Sequence, residues 1–265
     1  MSDPSLTVAV RAARNAAAVI SDAAHDLKRL PTFSKEHGDI VSAAETEAEN
    51  AIVTTLSAAF PDHAIVGEEG STRTVRNSDS MWRWIVDPID GTANFVHGYP
   101  YYAISIALAH GQDLTHAVVL DPARDELFTA IKGHGALVNG VALSVSACTA
   151  LDRALIGTVF PNRKSPKLAA YLPVFGALAG RCGGIRRGGS SALDLAYLAA
   201  GRLDGFWVMS LKPWDIAAGA LLVREAGGRI GDFAGGADFL RGDELIAAAP
   251  GVFNALREVI NAAIC

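Results

Sequence analysis

No two cysteines lie close enough in this sequence to suggest a shared task. Cys148, Cys182 and Cys265 are odd in number, widely spaced and form no CxxC pair. That argues against a disulfide framework and a cysteine zinc site, and it fits a reducing compartment. Positive charge is not in excess either: 23 Lys and Arg stand against 28 Asp and Glu, a net of -5 with His neutral. Such a balance gives no strong pull toward nucleic acid or an anionic bilayer. No apolar run approaches the roughly 18 residues of a membrane span. The first residues carry Asp3 and an amphipathic pattern, not a basic segment followed by an apolar block. No secretory leader is expected, and the chain is placed in the cytoplasm. Walker A and dinucleotide-binding glycine patterns are missing, and the 7 histidines show no metal-ligand spacing.

Half of the 265 residues are hydrophobic, enough for one large core or two smaller ones. Residues 5–30 read as a helix, with Leu6, Val10, Ala13, Ala17, Ile20, Ala24 and Leu27 in one stripe and Pro31 as its stop. Pro31 to Gly38 is turn-like. A second helix is predicted from Ser42 to about Ala59, with Ala48, Ile52, Leu56 and Ala59 buried. Strands follow at Trp82–Val86, Tyr102–Ala109, Ala117–Leu120 and Leu127–Ile131. Asn139-Gly140 marks a hairpin between Ala136–Val138 and Val141–Val145. This first part, residues 1–145, reads as helices on an antiparallel sheet. From 146 to 265 the pattern alternates. Strands are predicted at Ala154–Val159, Leu203–Met209 and Leu245–Ala249. Helices are predicted at Lys167–Ala179, Ser191–Ala200, Ile216–Ala226 and about Gly251–Ile264. This is a second, α/β unit.

Four acidic features carry the chemistry. Gly67-Glu68-Glu69-Gly70 follows the apolar pair Ile65-Val66. Asp87-Pro88-Ile89-Asp90-Gly91-Thr92 follows Trp84-Ile85-Val86. Trp214-Asp215 opens an apolar helix, and Asp39 to Glu45 precedes the second helix. Each has a plainer reading: a solvated turn at Glu68-Glu69, turn residues at Asp87 and Asp90, an N-cap at Asp215, a capping box between Ser42 and Glu45. Together they suggest a hard divalent cation, which takes oxygen ligands and leaves positions for phosphate and water. Asp87 and Asp90 flank a proline-fixed turn at a strand end. Gly91 and Thr92 then offer free amides, a natural seat for phosphate.

The sequence closely resembles the inositol monophosphatase family over nearly its whole length. The run from Trp84 to His97 is similar to the first family signature. The run Trp214-Asp215-Ile216-Ala217-Ala218-Gly219, continuing to Gly228, is similar to the second. The resemblance implies a layered α-β-α-β-α sandwich, the inositol monophosphatase and fructose-1,6-bisphosphatase type of mixed α+β and α/β fold. It implies a magnesium-dependent, lithium-sensitive phosphomonoesterase acting on a small phosphorylated metabolite. Glu68, Asp87 and the Ile89 carbonyl would hold one Mg2+, and Asp87, Asp90 and Asp215 a second, with a looser third near Glu68. Gly91 and Thr92 would contact phosphate. Gly189, Ser190 and Ser191, preceded by Arg186, would line the alcohol side, and Lys35 would lie on a mobile loop. Thr92, paired with an acid before the second helix, would activate the attacking water. Glu45 stands there where the family usually has Asp. Val208 stands where a Glu commonly meets a substrate hydroxyl, and Ser210 where Gly is usual. Inositol monophosphate or a similar polyol or sugar phosphate is the expected substrate; histidinol phosphate, a fructose phosphate or a nucleotide 3′-phosphate are alternatives. A homodimer is expected. A rival reading is contact with RNA polymerase or a transcription factor through Arg181, Arg186, Arg187 and Arg202.

Overall fold

The computed structural model describes residues 3–27, 35–70, 81–161, 164–241 and 244–264, and for residues 35–40 the backbone alone. Helices α1 (Pro4–Leu27) and α2 (Lys35–Ala59) lead into β1 (Ala64–Gly67), β2 (Trp82–Asp90) and the short α3 (Thr92–Val96). Then come β3 (Ala103–His110), β4 (Asp113–Asp121), β5 (Glu126–Ile131), β6 (Ala136–Val138) and β7 (Val141–Ala142). The second part holds β8 (Leu155–Val159), α4 (Leu168–Ala179), β9 (Gly184–Arg186), α5 (Ser191–Ala199) and β10 (Gly205–Met209). It ends with α6 (Pro213–Glu225), β11 (Arg229–Gly231), β12 (Glu244–Ala248) and α7 (Pro250–Ile264). Among the described residues no helix is long and apolar enough to cross a membrane.

The strands form two sheets. The first runs β1 to β7 in chain order; the second is ordered β11-β12-β10-β8-β9. β1 pairs parallel with β2, and the rest of the first sheet is antiparallel. Three apolar clusters define the layers. One joins α1 and α2 to one face of the first sheet through Trp84, Val86, Ile104 and Ile106. A central one joins that sheet's other face to α5, α6 and the second sheet. The last puts α4 and α7 on the outside of the second sheet. Alternation along β10 shows how one strand serves two layers: Phe206 and Val208 enter the central cluster, Trp207 and Met209 the outer one. The architecture is the expected α-β-α-β-α sandwich.

Local differences from the predicted elements have physical causes. α1 buries Ala9, Ala12, Ala13 and Ala16, so its closest face is made of alanines that let α2 approach; Leu6, Val10, Ala17 and Ala24 pack at the margin. The predicted residues 28–30 and the stop at Pro31 lie outside the described residues. α2 begins at Lys35, well before Ser42, so residues 35–38 are helical and not a turn. Ala48, Ile52 and Leu56 are buried as expected, whereas Ala59 at the helix end is exposed. The predicted stop of the strand at Val86 fails because β2 continues through the Asp-Pro step to Asp90. The hairpin at Asn139-Gly140 is present, with φ of 47° and 81° at the two residues.

α5 and α6 pack on each other between the sheets, and Gly219 of α6 faces Leu195 of α5. A Cβ there would fall 2.5 Å from Cβ of Leu195. Gly219→Ala is therefore expected to cost about 1–3 kcal/mol, the usual penalty of overpacking, read as a lower urea midpoint with an unchanged slope.

Candidate metal centre

A regular strand sends residues three apart to opposite faces. Asp87 and Asp90 nevertheless converge, because β2 is bulged between them. Asp87 pairs with Ser105 and Asp90 with Ala103, so β2 carries one residue more than β3 across the interval. Pro88 sits inside the bulge, where its missing N–H is not needed by the ladder. The expected turn is thus a bulged strand, with the same effect on the two carboxylates. Asp215 joins them from the first turn of α6, and ligand atoms of Asp87, Asp90 and Asp215 lie within 4.8 Å of one another.

One oxygen of each aspartate is tied to its own frame. The Ile89 amide donates to Asp87 Oδ1 at 2.9 Å. Asp90 Oδ2 accepts from Ser190 Oγ and from the Ala192 amide, both at 2.6 Å. Asp215 Oδ2 accepts from the Lys212 amide at 2.9 Å. Asp215 is therefore not the N-cap of α6, which is Lys212; it is the third helical residue and folds back onto that cap. Glu68, just past β1, is exposed to solvent on one side, and its carboxyl hydrogen-bonds that of Asp87.

The electrostatics follow from crowding. Burial, then the charges of Asp90, Glu68 and Asp215, pushes Asp87 well above the usual carboxylate range. Burial, then Asp215, does the same to Asp90. Burial also raises Asp215, and Glu68 is pushed up to about 7 by burial and three neighbouring acids. No described Lys or Arg forms an ion pair with any of the four. A hard cation is what this oxygen set fits.

The turn that follows β2 is built on glycine. Gly91 has φ of 103°, and a Cβ there would meet the Tyr101 carbonyl at 3.0 Å and that of Gly189 at 3.3 Å. The amides of Asn94 and Phe95 both bond the Gly91 carbonyl, starting α3. Thr92 Oγ1 lies 3.2 Å from the Ile89 carbonyl oxygen and also meets the carboxyl of Glu45. Glu45 is raised by burial and, after the opposing Thr92 bond, by the charge of Glu69. The capping-box reading falls here: Ser42 lies inside α2, so Glu45 has no helix start to cap.

Other expected residues are placed differently. Ser190 and Ser191 are buried and shape the site from behind; Ser190 caps α5, accepting the Leu193 amide at 3.3 Å, while donating to Asp90. Val208 is 1% exposed and packed in the central apolar cluster. Arg186 is exposed on the edge strand β9, and its guanidinium donates to the Ile185 carbonyl at 3.0 Å. Arg187 comes nearer to the site: one guanidinium nitrogen stands 3.0 Å from where a Gly189 Cβ would be. Lys35 opens α2, not a loop.

Several contributors were missed in the sequence. Glu49, one turn beyond Glu45 and 1% exposed, accepts the Glu69 amide at 3.0 Å and so anchors the segment that carries Glu68. Their i,i+4 spacing was the available signal. Asn94 Nδ2 donates to the Tyr101 carbonyl at 2.6 Å and to that of Gly188 at 3.0 Å, stitching the two halves together. Buried Asp194 accepts from the Tyr101 hydroxyl at 2.5 Å and is pushed up to about 7 by burial.

The model of the inositol monophosphatase family matches residues 1–264. The chain belongs to the inositol monophosphatase family. Among its relatives, the Nus factor SuhB of Pseudomonas aeruginosa is 46% identical over 259 residues, covering 97% of this chain and 96% of that one. The Nus factor SuhB of Escherichia coli is 41% identical over 253 residues, 96% and 94% of the two chains. An inositol monophosphatase structure from Anabaena superposes with a TM-score of 0.86 at 32% identity, covering 97% of this chain and 95% of that one. Membership of this family implies phosphatase activity, and the Asp87, Asp90 and Asp215 cluster could hold a metal ion.

The crowding has a measurable consequence. Glu68 has an ordinary value of 4.5 and is pushed to about 7 in the folded chain. The native state then keeps a proton that the unfolded chain releases. In excess chelator, stability should fall as pH rises from about 4.5 to about 7. Millimolar magnesium should restore most of it at the upper end. Thermal unfolding across that window checks this, and a chelated protein that gains stability with rising pH would contradict it.

Proposed function

We propose that the chain is a magnesium-dependent phosphomonoesterase for small polyol or sugar monophosphates. The observation that carries the reading is the convergence of Asp87, Asp90 and Asp215 beside the Glu45–Thr92 pair. Glu68, the three aspartates and the Ile89 carbonyl would hold the metal. A bound divalent cation supplies positive charge to phosphate oxygens and makes a water easier to ionise. The chain's own residues do the rest. Thr92 orients a water through its hydroxyl. Glu45, raised above the usual carboxylate range by burial, accepts the proton that leaves it. Gly91 lets the backbone approach the phosphate, and the amides of Thr92 and Ala93, which donate to no described backbone carbonyl, face it. Ser190 and the Ala192 amide hold Asp90 in place, and Gly189 with Ser191 shapes the alcohol side.

Val208 is buried in the central apolar cluster and presents no hydrogen-bond acceptor to a substrate hydroxyl, so selectivity for inositol should be weak. Discrimination by hydroxyl groups needs a partner that is left unpaired when the hydroxyl is absent. Phe160 and Leu172, 39% and 53% exposed, offer the apolar surface that an expected homodimer would cover. The Nus factor names of the relatives favour a second role in a transcription complex. Arg181, Arg186 and Arg187 are exposed enough to serve it, whereas Arg202 is spent on the Glu126 carboxylate and the Tyr197 ring.

The deciding experiment is phosphate release from a panel of metabolite monophosphates with magnesium or chelator. Turnover is expected only with magnesium, with kcat/KM for inositol 1-phosphate and glycerol 2-phosphate within about tenfold of each other. Asp90→Asn should lose at least about a hundredfold yet still co-purify with RNA polymerase if the second role is real. Full turnover in chelator would sink the reading.

Glu45→Gln keeps length and hydrogen bonding but removes the base. Its kcat at saturating substrate and magnesium should drop by about 10²–10⁴-fold, with thermal stability nearly unchanged because no cap is lost. Unaltered turnover would strike Glu45 from the mechanism.

A further inference from the structure

Upstream of the acidic cluster along β1 and β2 lies a cavity of about 340 Å³. Val66, Ile85 and Pro213 are part of its wall. Each stands two residues before a carboxylate of the candidate metal centre: Glu68, Asp87 and Asp215. Val66 and Ile85 are register partners across the parallel β1–β2 pair. Along β2, Arg83, Ile85 and Asp87 alternate onto one face, so cavity wall and metal face are continuous. Three segments that hold the carboxylates together thus all border one cavity.

The chemistry of the cavity is specific. Its floor includes Ile85 and Ala109, both buried. Arg83, Gln112, Asp238 and Arg241 also line it, and Arg83 and Asp238 are exposed. Among the described residues Arg83 forms no ion pair, and Arg241 meets Asp238 only at 3.9 Å. An apolar interior with a few polar groups, in this size range, is the usual make-up of a small-molecule site. An unspent guanidinium at its edge selects a carboxylate, sulfonate or phosphate.

We propose that this cavity is a second ligand site, for a small organic anion with an apolar body, and that its occupancy tightens cation binding at the acidic cluster. The linkage rests on the metal reading given above; the site itself does not. An occupant braces Val66, Ile85 and Pro213 against one another. That restrains the three carboxylates where they converge, and linkage requires the cation to favour the occupant equally.

The probe is 4-(trifluoromethyl)benzoate, followed by 19F NMR on the full chain in chelator, with the neutral benzamide analogue as control. One saturable site is expected, with the amide about tenfold weaker or worse. Arg83→Gln should erase the preference for charge. Ala237→Trp, placed at an exposed cavity-lining residue so that the core is undisturbed, should weaken the benzoate by about tenfold or more. Equal binding of acid and amide, or wild-type binding in the Trp variant, overturns the site. For the linkage, magnesium is titrated by thermal shift with and without saturating benzoate. A magnesium affinity higher by about fivefold or more is expected; an unchanged affinity overturns the linkage. If magnesium alone gives no shift, the metal reading and the linkage fail together, while the NMR comparison still decides the cavity.

Discussion

Four carboxyl groups have been brought together in a small volume where no described Lys or Arg forms an ion pair with them, and the rest of the site is organised around that repulsion. Like charges at such separations cannot all ionise without a counter-ion. The fold holds them by spending one oxygen of each aspartate on a neighbouring donor: a strand amide for Asp87, a serine and a helix amide for Asp90, a helix-start amide for Asp215. What remains is a set of oxygens fixed in place before any ion arrives. Preorganisation of this kind is where a protein scaffold contributes to metal-assisted chemistry.

The fixing elements come from every layer around the first sheet. α2 supplies Glu45 and the buried Glu49. β2 supplies its bulge. α5 offers the Ala192 amide to Asp90, and α6 offers Asp215. Because α5 and α6 are sandwiched between two sheets, their starts cannot shift without disturbing the central apolar cluster. Rigidity at the carboxylates is thus a by-product of burying two helices on all sides.

Much of this was legible in the sequence, for reasons that can be stated residue by residue. Asp87, Asp90 and Asp215 were readable because they fall in two runs that match the family's signatures and occur together with other acidic segments; taken singly, each looks like an ordinary turn or cap. The Asn139-Gly140 hairpin was readable because few dipeptides adopt positive φ so readily. The bulge in β2 was not, since an Asp-Pro step looks the same whether the strand ends or adds a residue. The start of α2 was missed because the polar residues before Ser42 carry no apolar period. Glu49 and Asp194 escaped notice because their roles depend on partners far away in the chain, which local patterns do not encode. The burial of Val208 followed from which face of β10 meets α5 and α6, and that is a property of packing.

The bond from the Ala192 amide to Asp90 spans 102 residues. On a ribosome, the first sheet is complete in the nascent chain by residue 142, long before α5 and α6 have emerged. Chains fold from the N-terminus as they are made, so for that interval Asp87 and Asp90 stand without Asp215 and without Ser190 to hold them. A half-made chain cannot gather the oxygens a small hard ion demands. The three-aspartate cluster is therefore completed late in synthesis, and its completion reports that both sheets have found each other.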